Sequence, residues 1–151
     1  MLKTFDNNNR SRFLEDVYSS LKCRLNINNL VLVQAGENKI RVTTKETYET
    51  ALRMPGVQNV GLYIAKRRKD FTTLTVEGCM FLSKVDESVV MDLSREQALM
   101  WMKGGPVKVG MKEKLLLGRY KRFYLGSAVV DRLGNAYPQI PVWRRIPPET
   151  I

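Results

Sequence analysis

Histidine is missing from the sequence, and its absence excludes a large part of enzyme chemistry. Without an imidazole the chain lacks the commonest general base, the commonest zinc ligand and every Ser–His or Cys–His nucleophile pair. Cysteine is scarce as well. Cys23 and Cys79 are not spaced as a metal-binding pair and are too few for a disulfide framework, so we expect two buried, inert thiols. The sequence therefore argues against hydrolytic chemistry, and we expect neither a metal nor a cofactor.

Long apolar runs are also lacking. No stretch approaches the roughly 18 apolar residues that a membrane span needs. Residues 1–10 are polar and rich in asparagine, unlike a secretory signal. We therefore expect a cytoplasmic protein with no membrane partner. The 151 residues, 44% hydrophobic and 26% charged, are typical of a folded chain of one or two domains.

Acidic residues are few: 15 stand against 25 lysines and arginines, which gives a formal charge of +10. Residues 1–57 carry nine basic and six acidic side chains, whereas residues 107–151 carry nine and three. Such asymmetry predicts a polyanionic partner that is contacted mainly by the C-terminal half. The alternative is a protein that is merely basic and soluble.

Hydrophobic periodicity and turn residues predict an N-terminal α+β domain over residues 1–85. Its expected elements are a helix at 11–21 capped by Asn9 or Ser11, strands at 30–33 and 39–43, a helix at 44–52, a strand at 60–66 and a short helix at 74–82.

Residues 86–151 predict a second domain that is mainly β. Its expected elements are a strand at 88–91, a helix at 92–102 capped by Ser94 and ended by Gly104 and Gly105, strands at 115–117 and 123–130 joined by a turn at 119–122, and turns at Gly134, Asn135 and Pro138. Short strands with glycine and proline between them favour a small barrel. We expect the stripe Leu99, Met100 and Met102 beside Trp101 to pack in its core and not to hold a cofactor.

Two groups of residues are candidates for contact with nucleic acid. The first is the run of four cations Lys66, Arg67, Arg68 and Lys69, which we expect to project into solvent and neutralise phosphates. The second combines aromatic and basic side chains near the C-terminus: Tyr120, Lys121, Arg122, Tyr137, Trp143, Arg144 and Arg145. Rings and guanidinium planes stack on the bases of single-stranded RNA. The alternatives are a solvated loop for the first group, and for the second a barrel that Trp143 closes.

A third candidate is the segment 103–108, which carries paired glycines between lysines. Glycines after a helix allow a backbone to approach a ligand closely, with exposed amides. The segment is not a Walker loop, because the Gly-Lys-Ser/Thr ending is missing. A glycine C-cap explains Gly104 equally well.

From Gly61 onward the chain resembles the C-terminal region of Sun/Fmu-type RNA 5-methylcytosine methyltransferases and their stand-alone archaeal relatives. The matching segments are Gly61-Leu62 with Lys66, Lys69 and Phe71, the helix end at 101–104, the hairpin 114–130 with Leu125-Gly126, and 135–138. That region of the family contains a PUA-like pseudo-barrel that binds RNA. The resemblance implies RNA contacts at Lys103, Gly104, Gly105 and Lys108.

The same comparison shows what the chain lacks: a glycine-rich strand–turn–helix for S-adenosylmethionine and a catalytic cysteine after Pro or Thr. The resemblance thus implies an RNA-binding protein without the enzyme, with ribosomal RNA as the first target and transfer RNA as the second. One alternative is a subunit that recruits RNA or binds a separate methyltransferase or ribosome-assembly protein. Another is an enzyme that uses Asp92 with Glu96, although a helix N-terminus explains both carboxylates more simply.

Overall fold

The computed structural model describes residues 2–110 and 113–147. Residues 111–112 and 148–151 of the predicted second domain lie outside the described residues. The described chain is mixed α and β, which confirms the α+β class. Its α-helices are α1 (Asn7–Leu21), α2 (Lys45–Arg53) and α3 (Arg95–Met102). No helix in this part of the chain is long and apolar enough to span a membrane.

Five antiparallel strands form the first sheet, in the order β1-β3-β4-β5-β6. In chain order these strands, with the separate β2 between them, are β1 (Lys3–Thr4), β2 (Cys23–Leu25), β3 (Leu30–Ala35), β4 (Lys39–Thr44), β5 (Leu62–Arg67) and β6 (Thr72–Leu74). Strand β2 pairs instead with β7 (Leu82–Val85) in a two-stranded antiparallel ribbon.

The second sheet has the order β8-β10-β11-β12-β9. Its strands are β8 (Val90–Asp92), β9 (Val107–Lys108), β10 (Leu115–Tyr120), β11 (Phe123–Val130) and β12 (Asn135–Pro138). The β8–β10 pair is parallel and the other pairs are antiparallel. Three single 3₁₀ turns complete the described elements: Gly78–Phe81, Glu87–Val89 and Val142–Arg144.

Local capping explains where the helices begin. Asp6 caps α1 by accepting a hydrogen bond from the Asn9 amide at 2.7 Å, so the helix starts at Asn7 and the predicted caps Asn9 and Ser11 are wrong. For α3 the predicted cap is confirmed. Ser94 accepts from the Gln97 amide, and the Gln97 side chain accepts from the Ser94 amide. This reciprocal capping box satisfies two donors that the first helical turn leaves unpaired.

Four predicted elements differ from the structure. The expected helix at 74–82 is the end of β6 followed by a 3₁₀ turn, because the Thr75 hydroxyl accepts from the Gly78 amide at 3.0 Å and closes a tight turn. The expected strand at 88–91 is split between a 3₁₀ turn and β8. The turn predicted at 119–122 holds only Lys121 and Arg122, since Tyr120 pairs with Phe123. Asn135 and Pro138, predicted to lie in turns, are the first and last residues of β12.

One hydrophobic cluster connects the two sheets. Phe13, Val17 and Leu21 of α1 pack in the same buried cluster as Ile64 of the first sheet and Leu117 of the second. A separate cluster surrounds Trp101, which is fully buried and donates from Nε1 to the Leu125 carbonyl oxygen at 2.7 Å. Met102 packs against this cluster, whereas Met100 is exposed, so the prediction of a core position is wrong for Met100. Gly118 is required beside this indole, because an added Cβ would lie 2.6 Å from its ring. Helix α1 therefore holds the first sheet against the second.

Candidate nucleic-acid interface

A groove of about 430 Å³ lies where strands β4–β6 meet the segment that follows β12. Four cationic side chains line it: Lys39, Lys66, Arg68 and Arg145. Two aromatic side chains, Tyr63 and Trp143, line it as well. Among its described lining residues there is no carboxylate. The groove therefore combines concentrated positive charge with rings that can stack.

Strand pairing places two of the cations side by side. Lys39 of β4 lies directly opposite Lys66 of β5 in the antiparallel ladder. Side chains opposite one another in such a ladder have Cβ atoms about 5 Å apart, and like charges there are destabilising. The Lys39 ammonium also lies 5.4 Å from the centre of the Tyr63 ring. An anion bound between the two lysines would relieve their repulsion.

Arg68 joins the two walls of the groove. Its guanidinium donates to the side-chain carbonyl oxygen of Gln139, which follows β12. Beneath it, the buried Ser127 hydroxyl accepts from the Leu74 amide at 2.8 Å and donates to the Leu74 carbonyl oxygen at 3.2 Å. These bonds hold β6 against β11. The groove is therefore built on fixed backbone.

The end of α3 determines the position of Arg145. The Arg145 Nε donates to the Ile140 carbonyl oxygen at 3.1 Å. The Arg145 side chain also passes directly over Gly104, where any Cβ would collide with it. Gly104 has a φ of +79°, which glycine adopts without strain. The Gly104 amide bonds to the Trp101 carbonyl oxygen and the Gly105 amide to that of Met100. The expectation of exposed glycine amides is therefore wrong; the glycines end the helix and leave room for an arginine.

The run of four cations does not project as a unit. The Arg67 guanidinium turns inward, 5.5 Å from the Phe5 ring centre and 5.8 Å from that of Phe13, with Asp16 at 3.4 Å. The expectation that all four cations face solvent is wrong for Arg67, because α1 supplies rings and a carboxylate beside it. Lys66 and Arg68 enter the groove, while Lys69 lines a neighbouring depression.

The hairpin between β10 and β11 carries three predicted site residues away from the groove. Lys121 has a φ of +56° in the two-residue turn, and its ammonium lies 5.4 Å from the Tyr120 ring centre. Arg122 lies 5.2 Å from the ring centre of the exposed Phe123. None of these side chains lines the groove. They form a separate basic and aromatic tip.

The remaining predicted residues have local partners. The Lys108 ammonium donates to the Leu133 carbonyl oxygen, and the Tyr137 hydroxyl donates to Asp131 at 3.2 Å. The Asp131 carboxylate also accepts from the Asn135 amide, and this bond is the main cause that lowers the pKa of Asp131. The hydrogen bond to Asp131 in turn raises the pKa of the Tyr137 hydroxyl.

Near the groove, Arg144 forms an ion pair with Glu77 at 2.7 Å and does not line the groove. Lys103 is half-buried at the end of α3. Trp143 does not close the barrel, because 70% of its surface is exposed.

Sequence reasoning missed Lys39 and Tyr63. No local signal marks them, since Lys39 is a single cation in a hairpin and Tyr63 a single aromatic in a strand. They join Lys66 and Trp143 only because β4 pairs with β5 and the chain returns after β12. Alternation along paired strands could have suggested the Lys39–Lys66 pair.

The described residues contain no group of three or more cysteine, aspartate or glutamate side chains placed to hold a metal ion. Both cysteines are buried, as predicted, and burial raises the pKa of each thiol to about 12. A thiol protonated at neutral pH is a poor nucleophile. Comparison with protein-family models and with curated proteins finds no match to this sequence.

Proposed function

We propose that the protein is a non-catalytic RNA-binding protein and that the groove holds the RNA. The observation that carries the proposal is the composition of the groove: four cations, two aromatic rings and no carboxylate among the described lining residues. Cations on fixed backbone hold phosphates by releasing counterions, which supplies affinity without sequence preference. The absence of histidine and the buried cysteines are consistent with a binding role.

The exposed Trp143 favours single-stranded or looped RNA over a duplex. The Trp143 side chain is 70% exposed and lies beside the cations of the groove. Exposing an apolar indole to water is unfavourable, and a solvated loop with no ligand would not offset that free-energy cost. Unpaired bases stack on such rings, whereas the bases of a duplex are already stacked on one another. An RNA loop or single strand therefore fits the groove better than duplex DNA.

The resemblance to the Sun/Fmu C-terminal region supports a structured cellular RNA, ribosomal or transfer RNA, as the ligand. A PUA-like pseudo-barrel would comprise the second sheet with α3, and the groove would lie at its border with the first sheet. On this basis we propose structured ribosomal RNA as the first target, in ribosome biogenesis or RNA modification, and transfer RNA as the second. Shape and a few stacked bases would provide selectivity.

Binding to ribosomal RNA fragments, transfer RNA and duplex DNA across a salt series tests the proposal. We expect preference for one RNA class and a steep dependence of affinity on salt concentration. Weak binding that is equal for all three polyanions would overturn it, because a merely basic surface does not distinguish them.

Substitutions test whether the groove is the site. Trp143→Ala removes a stacking platform worth about 1–3 kcal/mol per base, so we expect affinity for single-stranded RNA to fall about tenfold. Leu52→Ala, which removes another exposed apolar side chain on α2, is the control and should bind as the unmodified protein does.

Charge removal locates the phosphates. Lys39→Gln/Lys66→Gln should weaken binding and reduce the steepness of the salt dependence by about 1 in the log–log slope. The matched pair Lys121→Gln/Arg122→Gln at the β10–β11 hairpin removes the same charge outside the groove. A loss of RNA affinity in the hairpin double variant, with no loss in the groove double variant, would move the site to the hairpin.

A further inference from the structure

Three smaller depressions adjoin the groove in series, each sharing at least one lining residue with the next. Arg68 lines both the groove and the first of these depressions, which also contains Lys69 and Phe71. Phe71 lines the next depression too, where the Lys114 ammonium lies 5.8 Å from its ring centre. Lys22 belongs to that depression and to the last one. This series of depressions, here called the track, connects the groove with the ribbon formed by β2 and β7.

Three cations meet at the far end of this track: Lys22, Arg24 and Lys84, here called the ribbon patch. Arg24 and Lys84 lie directly opposite one another in the β2–β7 ladder. The neighbours of Arg24 within β2 are buried, so both cations face solvent. Like charges in that arrangement destabilise a two-stranded ladder. This repeats the Lys39–Lys66 arrangement in the groove.

One carboxylate, that of Asp86, lies in the same depression as the three cations of the ribbon patch. It accepts from the Ser88 amide at 2.9 Å, and this bond lowers its pKa, as does the charge of Lys22 to a lesser extent. No ion pair of the described chain includes Lys22, Arg24 or Lys84. The patch therefore presents three positive charges against a single nearby carboxylate.

The backbone holds these cations in place. Lys22 ends α1 with a φ of 48°, and its amide bonds to the Tyr18 carbonyl oxygen at 2.8 Å. The Arg24 guanidinium lies 4.2 Å from the centre of the half-exposed Tyr18 ring. A guanidinium stacked in this way keeps its hydrogen-bond donors available to a further ligand. Anion binding at Arg24 would therefore require little ordering of its side chain.

We propose that the track carries the RNA strand beyond the groove, with its phosphates held by Lys22, Arg24 and Lys84. This inference rests on the proposed function of the groove. The carboxylates of Asp16, Asp70 and Glu113 line the middle depressions, so the phosphate contacts lie at the two ends and the strand passes over Phe71 between them. The N-terminal half of the chain, which already contributes cations to the groove, thereby provides a second set of phosphate contacts, and the site is longer than the groove alone.

Oligonucleotide length tests this inference. The unmodified protein and the variant Lys22→Asn/Arg24→Thr/Lys84→Thr are titrated with oligouridylates of about 6 and about 20 nucleotides across a salt series. Asparagine tolerates the left-handed backbone at residue 22, and threonine suits a strand. Removing the Arg24–Lys84 repulsion should keep the fold at least as stable, which a thermal melt checks. Lys45→Ser/Arg53→Ser/Arg132→Ser removes three exposed charges outside the track and is the matched control.

We expect the ribbon variant to bind the short oligonucleotide as the control does and to lose about tenfold on the long one, with a log–log salt slope less steep by about 2. Equal binding of the long oligonucleotide by the ribbon variant and the control would overturn the track and leave the groove unaffected. Failure of the unmodified protein to bind either oligonucleotide would overturn the track, whereas the proposed function is overturned only by weak and equal binding of ribosomal RNA, transfer RNA and duplex DNA.

Discussion

Ser127 shows how one small side chain can join two sheets. Its hydroxyl is fully buried on β11 and both accepts from and donates to the backbone of Leu74 on β6. A buried hydroxyl with both of its hydrogen-bonding functions used adds specificity to an otherwise apolar contact, because no other side chain of this size makes both bonds.

Ser127→Ala is expected to lower the free energy of unfolding by about 1–3 kcal/mol, since it leaves the buried Leu74 amide without a partner. Urea denaturation measures this change. Ser83→Ala, which removes an exposed hydroxyl bonded to the Arg24 carbonyl oxygen, is the control and should shift stability by less than about 0.5 kcal/mol. Similar effects for the two variants would contradict the proposed role of Ser127.

At the scale of elements, Arg119 connects three pieces of chain. From β10 its guanidinium donates to Asp92 of β8 at 2.7 Å and to Glu87 of the preceding 3₁₀ turn at 3.0 Å. It also contacts the Tyr124 hydroxyl across the hairpin at 3.2 Å. The hydrogen bond from Arg119 is the main cause that lowers the pKa of Asp92. An ionised carboxylate thus contributes to the contact between β8 and β10.

This linkage predicts a dependence of stability on pH. The pKa of the Asp92 carboxyl group is lower in the folded state than in the unfolded state, where it is about 3.9. The group therefore stabilises the fold at pH values above about 3.9, and this contribution is lost as the pH falls through the folded-state pKa. Arg119→Gln should therefore reduce stability near neutral pH and make the acid-side decline shallower. Urea denaturation at a series of pH values measures both effects.

Arg122→Gln is the matched control for this prediction. Arg122 lies in the same hairpin, but its guanidinium contacts the Phe123 ring and not a carboxylate. Its substitution should leave the acid-side decline unchanged. Parallel pH profiles for the unmodified protein and Arg119→Gln would show that the Asp92 contact does not contribute to stability.

At the scale of the whole molecule, the shared hydrophobic cluster makes the two sheets one energetic unit. Leu117 from the second sheet and Phe13 from α1 are both fully buried within it. Substituting a core residue at such a junction removes contacts from both sides. The position of the groove, between the same two sheets, depends on this junction remaining intact.

Leu117→Ala is expected to lower stability by about 2–5 kcal/mol. Because the cluster that contains Leu117 includes residues of both sheets, tryptophan fluorescence and far-ultraviolet circular dichroism should report one coincident unfolding transition in both the unmodified protein and the variant. Two separated transitions, with only one shifted by the substitution, would show instead that the halves unfold independently.

Sequence reasoning named four of the six cationic and aromatic residues that line the groove, but not their arrangement. It named Lys66, Arg68, Trp143 and Arg145, since cations and aromatic residues are visible in the sequence itself. It could not separate these four from Arg67, whose guanidinium turns toward the Phe5 ring, or from Tyr120 and Lys121 at a distant hairpin. That separation depends on which neighbour each side chain meets.

The sequence alone determined the features that depend on neighbours within a few residues. The Ser94 cap, the β3–β4 hairpin and the buried thiols follow from short-range patterns, and the lack of histidine is a property of the composition. Tertiary structure alone decided that Lys39 faces Lys66 and that Trp143 lies beside them. Strand pairing and the return of the chain after β12 bring these residues together, and contacts between distant parts of a chain leave no local signature in its sequence.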